Sequence, residues 1–259
     1  ANEDIGREAI EVFKALSLGQ FVEKSQYLLV APKQMKKPLM DLIDREIAYA
    51  KNGEPAQVIV KTNSLSNKEM IDKLIEASQA GVKIVLLVRG ICCLQAGLPG
   101  ISENIVIKSI VGRYLEHSRI FSFGIGKRQR IYIGSADWMT RNMDYRVEVA
   151  VEILDDSVKK TLNQMLELYL SDNRKLRTMD ETGFYRKPQR QAGEAVLDSQ
   201  VELFDYFANK AKKARKKQQK KDLLQEKLAA QKKDRKSSRL NSSHHSSSYA
   251  VFCLKKKRG

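Results

Sequence analysis

Residues 58–88 read VIVKTNSLSNKEMIDKLIEASQAGVKIVLLV, and this stretch decides the fold. Apolar runs stand at its two ends, Val58–Val60 and Ile84–Val88, and between them Ile71, Leu74 and Ile75 recur at helical spacing. Two unbroken apolar runs joined by one helix are typical of parallel strands that are buried on both faces. The stretch therefore predicts an α/β fold with a mixed, mostly parallel sheet covered by helices on both faces.

Apolar periodicity extends the same pattern along residues 1–190. Helical spacing predicts helices in residues 4–18 and 36–52 and a third from Val158 to Tyr169; in the first, Val12, Phe13 and Leu16 share one face. Strand-like runs are Tyr27–Ala31, Ile105–Val111, Arg119–Phe123, Arg130–Gly134 and Tyr145–Ile153. We expect one α/β domain over residues 26–208, preceded by a lead-in over residues 1–25.

The net charge of +16 belongs to the C-terminal segment. Residues 209–259 carry 18 Lys and Arg against three acidic residues, whereas residues 1–208 carry 29 against 28. The predicted domain is therefore nearly neutral, which argues against a nucleic-acid or membrane-surface protein that uses its whole surface. Residues 209–233 form a Lys-rich extension, which we interpret either as a solvated helix or as a disordered basic arm, and as a dispensable extension or a binding element.

Residues 234–259 differ in character from the rest of the chain. The segment Arg239–His244 (RLNSSH), the segment Ser248–Leu254 (SYAVFCL) and the lysine run Lys255–Lys257 resemble the conceptual translation of sequencing-adapter DNA fused to a reading frame. We therefore predict that residues 234–259 are an artefact and leave them out of functional reasoning.

The cysteine content and the length of the apolar runs indicate the cellular compartment, and the first residue bears on the length of the protein. Three cysteines, of which Cys92 and Cys93 are neighbours, cannot build a disulfide framework, and no apolar run reaches the ~18 residues of a membrane span. We expect a cytoplasmic protein, with membrane association as the alternative. Since the chain begins with Ala1 and not with Met, we expect it to be a piece of a longer protein.

One histidine lies in a pattern suited to phosphoryl chemistry. His117 lies just before a predicted strand that begins with Arg119, and the turn Gly134-Ser135-Ala136-Asp137 lies at the end of the next strand. An imidazole can act as nucleophile or proton carrier, and a guanidinium can bind two phosphate oxygens at once. The arrangement resembles half of a phospholipase D superfamily site, with three departures: Arg119 replaces the usual Lys, Gly124 the expected acid, and Asp137 the common Asn.

Longer strings are similar to the C-terminal, phospholipase D-like domain of the polyphosphate kinase family. They are LVRGICCL (87–94), PGISENI (99–105), SIVGR (109–113), LEHSRI (115–120) and GSADWM (134–139), with DRE (44–46) and KxNSL (61–65) as further matches, over residues 1 to about 208. The resemblance implies reversible transfer of the terminal phosphate of ATP to inorganic polyphosphate. It places Arg89 and His117 in the ATP site, with His117 catalytic and Arg119 a further phosphate ligand.

The resemblance also implies what lies outside this chain. In the family, a phosphohistidine carrier and magnesium-associated residues belong to the preceding domain. We therefore expect Mg²⁺ to be held there, the isolated chain to be inactive, and the partners to be ATP or ADP, polyphosphate, the protein's own N-terminal domains and further copies of itself, without specific nucleic-acid binding.

Three supporting residues and two other functions complete the predictions. We expect Ser135 and Asp137 to orient the His117 and Arg119 region, whereas Trp138 could stack on adenine or anchor its loop. The first alternative function is a phospholipase D-type phosphodiesterase or nuclease, which needs a second His-x-basic unit. The other is a basic RNA-binding protein that uses residues 210–233.

Overall fold

The computed structural model describes the backbone of residues 2–255 and the side chains of residues 2–228. The chain divides into two compact units, Ala1–Leu203 and Phe204–Gly259. The first unit contains one sheet and the helices that pack on it. Its strands are β1 (Leu28–Ala31), β2 (Gln57–Thr62), β3 (Lys83–Val88), β4 (Ile105–Ser109), β5 (Ile120–Phe123), β6 (Arg130–Gly134), β7 (Glu148–Glu152), β8 (Arg177–Met179) and β9 (Tyr185–Arg186).

The described residues also form six α-helices. They are α1 (Glu3–Ser17), α2 (Lys36–Lys51), α3 (Lys68–Gln79), α4 (Thr140–Asp144), α5 (Asp156–Leu170) and α6 (Ser199–Lys255). Side-chain caps fix where several of them begin: the side chain of Asn67 accepts the N–H of Met70 at the start of α3, and Asp155 caps α5 in the same way. The predicted helices and strands between residues 4 and 170 are therefore present, with small shifts at their ends.

The sheet is mixed, but it is not mostly parallel. The strand order is β1-β7-β6-β5-β2-β3-β4-β8-β9, and within the described residues only β2–β3 and β3–β4 are parallel neighbours, whereas the other six pairs are antiparallel. The prediction of a mixed α/β sheet is confirmed, and the mostly parallel part of it is wrong. The reason is that six residues join β5 to β6, and a connection this short permits only an antiparallel pair.

Helices cover both faces of the sheet. On one face Val58 and Ile84 pack into the cluster that contains the buried side chains of α2 and α3. On the other face Leu87 packs with Leu162 and Leu166 of α5. The central runs Val58–Val60 of β2 and Ile84–Val88 of β3 are apolar because both faces of these strands are covered, which is the property that identified them in the sequence.

The first helix packs on the edge of the sheet. Val12 of α1 is buried against Leu28 and Val30 of β1, but Phe13 is 73% exposed, so the expectation that Phe13 shares the buried face is wrong. The carboxylate of Glu8 accepts hydrogen bonds from the backbone N–H groups of Gln26, Tyr27 and Leu28, at 2.8 to 3.3 Å. The helix α1 thus contacts the edge strand directly.

The second unit consists of the greater part of α6. Of the two interpretations of residues 210–233, the structure contains the helix, and every side chain from Asn209 to Leu228 is exposed. The end of the predicted adapter segment, residues 256–259, lies outside the described residues. Among the helices that are described, none has the length and apolar character needed to cross a membrane.

Candidate active site

An open cleft of about 530 Å³ lies where β2 and β3 end, next to the loop that leads into β5. The carboxyl ends of parallel strands are the usual place for ligands in α/β sheets. All five sequence-predicted site residues line this cleft. Its full lining is Asn63, Ser64, Arg89, Ile91, His117, Arg119, Ser135, Asp137, Met139, Arg141, Asn142, Arg146 and Glu148.

Asp137 is the buried acceptor at the floor of the cleft. Its Oδ1 accepts hydrogen bonds from Thr62 Oγ1 at 3.0 Å, Asn63 N at 2.8 Å and Asn63 Nδ2 at 2.9 Å. Arg119 donates from Nε to Oδ1 at 3.1 Å and from Nη2 to Oδ2 at 3.0 Å. Burial alone would raise the pKa of the Asp137 carboxyl, but the hydrogen bonds from Arg119, Asn63 and Thr62 outweigh burial and hold that pKa below its usual range.

Arg119 in turn fixes the ring of His117. Its Nη1 lies 3.0 Å from His117 Nδ1 and donates to the His117 carbonyl oxygen at 3.0 Å. A guanidinium has no acceptor, so Nδ1 must accept this hydrogen bond and a neutral imidazole must carry its proton on Nε2. In this arrangement His117, which is exposed, offers a hydrogen-bond donor at Nε2 rather than a nucleophilic lone pair. Arg119 therefore uses most of its N–H groups for hydrogen bonds to His117 and Asp137 and not for a ligand.

Arg89 has more donors left for a ligand than Arg119 has. Its Nε donates to Asn63 Oδ1 at 2.6 Å and to the Glu116 carbonyl at 2.9 Å, and among the described residues its Nη1 and Nη2 make no hydrogen bond. Four N–H groups of a fixed planar fork thus remain. Gly90 permits this position, because a Cβ there would lie 2.9 Å from the Asn63 carbonyl oxygen.

Ser135 contacts a carboxylate that the sequence analysis did not single out. Its Oγ donates to Glu148 and accepts from Val149 N at 3.1 Å, and within the described part of the chain it forms no hydrogen bond with His117 or Arg119. Gly134 is required beside it, since a Cβ there would lie 2.8 Å from the Val149 carbonyl oxygen. The Gly-Ser turn therefore joins β6 closely to the start of β7.

Two further arginines at the cleft were also missed. Arg141 and Arg146 are exposed, and within the described residues neither forms an ion pair. Arg141 lies in the short helix α4 and Arg146 follows it, and basic residues in such a segment are indistinguishable in sequence from a solvated helix surface. Both side chains line the cleft and add positive charge to it.

A buried ion pair lies behind the His117 loop. Lys61 Nζ is 3.2 Å from Glu116 Oε2, donates to the Ser118 carbonyl at 3.3 Å and sits 4.8 Å from the centre of the Tyr169 ring. Burial lowers the pKa of the Lys61 ammonium, and Glu116 opposes only part of that shift. Burial, followed by the charge of Glu116, raises the pKa of Tyr169. These groups fix the backbone on both sides of His117.

The first turn of α6 anchors the same loop. Gln200 donates from Nε2 to the Tyr114 carbonyl and to Glu116 Oε1, both at 2.8 Å, and its Oε1 accepts from Tyr114 N at 3.1 Å. Trp138 is fully buried and packs on Phe121 with ring centres 5.5 Å apart, which makes it a loop anchor and excludes stacking on a nucleobase in this structure.

The residues that are described do not form a magnesium site by themselves. They contain no group of three or more His, Cys, Asp or Glu that could hold a metal ion. The two carboxylates of the cleft, Asp137 and Glu148, are occupied by protein donors, the latter by Ser135 and by Asn142 Nδ2 at 2.6 Å. We therefore assign no chemical step in this chain to Mg²⁺.

Comparisons with known proteins agree with one another. The family model described as "Polyphosphate kinase C-terminal domain 2" matches residues 28–200. A polyphosphate kinase from Bacillus anthracis is 46% identical over 204 residues, which are 79% of this chain and 29% of that protein. The chain thus spans less than a third of the length of this relative.

The fold is also similar to that of a solved polyphosphate kinase structure. The polyphosphate kinase of Porphyromonas gingivalis matches with a TM-score of 0.77 and 36% identity, over 82% of this chain and 33% of that one. Nuc, a phospholipase D family member from Salmonella typhimurium, matches with a TM-score of 0.41 and 12% identity, over 62% of this chain and 97% of that one. With a family model that covers most of the cleft-bearing unit and a relative at 46% identity, the chain belongs to the polyphosphate kinase family.

Proposed function

We propose that this chain supplies the nucleotide-phosphate half of an active centre that transfers the terminal phosphate of ATP reversibly to inorganic polyphosphate. The observation that carries the proposal is Arg89, whose four uncommitted N–H groups share one cleft with the exposed ring of His117. A phosphohistidine, carried by a part of the full-length protein that precedes Ala1, would be the covalent intermediate.

The geometry supports distinct roles for the three basic residues. Arg89 binds phosphate oxygens in a bidentate manner and neutralises the charge that builds on them during transfer. His117 donates a hydrogen bond from Nε2 to the transferring or leaving phosphate. Arg119 has one N–H left for a direct phosphate contact and otherwise positions His117 against Asp137. Ser135 supports the cleft through β7.

The surroundings of the full-length protein follow from the same proposal. ATP or ADP and polyphosphate are its substrates, its N-terminal domains complete the active centre and hold Mg²⁺, and the intact protein assembles as a homo-oligomer in the cytoplasm. We also propose that residues 234–259 are an artefact, so the nucleotide sequence behind them should match an adapter.

The test uses the full-length protein encoded by the reading frame that contains this chain. We expect Arg89→Ala and His117→Ala each to lower ATP-dependent polyphosphate synthesis by ~10²-fold or more without unfolding the protein, which a thermal unfolding curve checks. Arg190→Ala, an exposed arginine outside the cleft, serves as the matched control and should keep its activity. Near-normal synthesis in both cleft variants would refute the proposal.

A further inference from the structure

The second unit carries a one-sided row of lysines. The lysine stripe is defined here as Lys212, Lys213, Lys216, Lys217, Lys220 and Lys221, all of them exposed and all in α6. At about 100° per residue, the members four positions apart follow one another along the helix, and the six cover roughly one half of its surface over about 14 Å. The acidic residues of this segment, Asp222 and Glu226, lie on the other half.

This arrangement is unfavourable for an isolated helix. Like charges four residues apart destabilise a helix, and the stripe contains four such pairs. Within the described residues none of the six lysines forms an ion pair, and Asp222 instead accepts a hydrogen bond from Gln218 at 2.8 Å. A bound linear anion would remove the repulsion and release its own counterions.

We propose that the lysine stripe is a docking surface for inorganic polyphosphate. Polyphosphate is a flexible chain with about one negative charge per phosphate, and lysine ammonium groups act on such a chain as point charges without requiring a fixed geometry. This inference rests on the proposed function for the identity of the polyanion, and it adds a contact outside the cleft.

The chemistry of the helix surface favours polyphosphate over two other polyanions. The stripe, from Lys212 to Lys221, contains no aromatic side chain, and the exposed Phe204 and Phe207 that precede it lie on the other half of the helix at about 100° per residue. The stripe therefore lacks the platform on which single-stranded nucleic acid stacks its bases. Its leucines, Leu223, Leu224 and Leu228, stand beyond the stripe, so the stripe itself has no apolar face to insert into a bilayer surface.

The test measures binding of a fluorescent polyphosphate of defined length to the 259-residue chain as a function of salt. In the stripe variant all six lysines are changed to Gln, which keeps helix propensity. In the control variant six exposed lysines of the first unit are changed to Gln: Lys33, Lys37, Lys51, Lys68, Lys83 and Lys187. Both variants lose the same charge. We expect affinity to fall about tenfold or more, with a shallower salt dependence, in the stripe variant only.

Three outcomes would overturn the inference: unchanged binding in the stripe variant, equal loss in both variants, or tighter binding of single-stranded RNA or anionic vesicles at the same salt concentration. Arg89→Ala in the 259-residue chain should leave stripe-dependent binding of polyphosphate in place, which separates this inference from the proposed function. If stripe-dependent binding persists while cleft variants of the full-length protein keep their activity, the proposed function fails and the docking surface stands.

Discussion

Arg119 donates a hydrogen bond to Nδ1 of His117 across 3.0 Å, and this contact decides which ring nitrogen faces outward as a donor. Because the same guanidinium is held by Asp137 through two hydrogen bonds, the ring orientation depends on a buried carboxylate and not on the ligand. The cleft is therefore organised before a phosphate arrives.

The tautomer of His117 can be observed directly. We expect long-range ¹⁵N–¹H spectra at a pH where the ring is neutral to show the proton on Nε2 and none on Nδ1. Arg119→Lys removes the fork that reaches both partners, and it should convert the ring to a mixture of tautomers, whereas Arg141→Lys should not. His117→Gln assigns the signals against those of His244 and His245. A proton on Nδ1 in the unaltered chain would contradict the geometry.

The pKa of Asp137 links the cleft to acid stability. Since this pKa lies below its unfolded value of 3.8, the folded chain binds fewer protons there, and the corresponding stability is present at neutral pH and lost as the pH falls through the folded pKa. We expect Asp137→Asn to lower the free energy of unfolding by about 3 kcal/mol at neutral pH. Below about pH 4, the free energy of unfolding of this variant should fall less with decreasing pH than that of the unaltered chain. Urea unfolding across this range measures it, with the exposed Asp41→Asn as control. A variant that loses stability in parallel with the unaltered chain would exclude this linkage.

Lys61 and Glu116 should behave as a coupled pair. Lys61→Met leaves a buried carboxylate and Glu116→Gln leaves a buried ammonium, so each change alone should lower the free energy of unfolding by about 3 kcal/mol. The double variant removes both charges and should cost clearly less than the sum of the two. The exposed pair Lys68–Asp72 is the control, with coupling below about 0.5 kcal/mol. Additive single effects at Lys61 and Glu116 would show that they are not coupled.

Gln200 should control the order of the His117 loop. Gln200→Ala removes three hydrogen bonds to Tyr114 and Glu116, so we expect faster amide hydrogen exchange over residues 113–118, measured by mass spectrometry. Gln218→Ala, in the exposed part of α6, should leave that exchange unchanged. If the loop exchanges at the same rate without the Gln200 side chain, other contacts hold it.

The fold was predictable wherever a single segment of the sequence contains the pattern that determines its structure. The β2–α3–β3 crossover follows from two apolar runs and one helical stripe, and both strands are where the sequence predicts them. The relative direction of the strands β5, β6 and β7 was mispredicted. It depends on the short connections between these strands, and the residues of those connections show little apolar pattern. The residue count between Phe123 and Arg130 would have excluded a parallel pair there.

The candidate site likewise has residues that local sequence predicts and residues that it does not predict. Arg89, His117, Arg119, Ser135 and Asp137 were selected from local strings, and the structure places all five around one cleft. The groups that hold the His117 loop come from far away in sequence: Gln200 lies 84 residues from Glu116, and Lys61 lies 57 residues from Ser118. No single segment contains such a relationship, so only the folded chain reveals it.

The hydrogen bonds from the N–H groups of residues 26–28 to Glu8 affect whether this edge of the sheet can pair with another chain. An outermost strand with unpaired donors can template growth by another molecule, and a carboxylate that occupies those donors blocks this route to aggregation. Removal of the first helix would therefore endanger solubility even where every group in the cleft is intact.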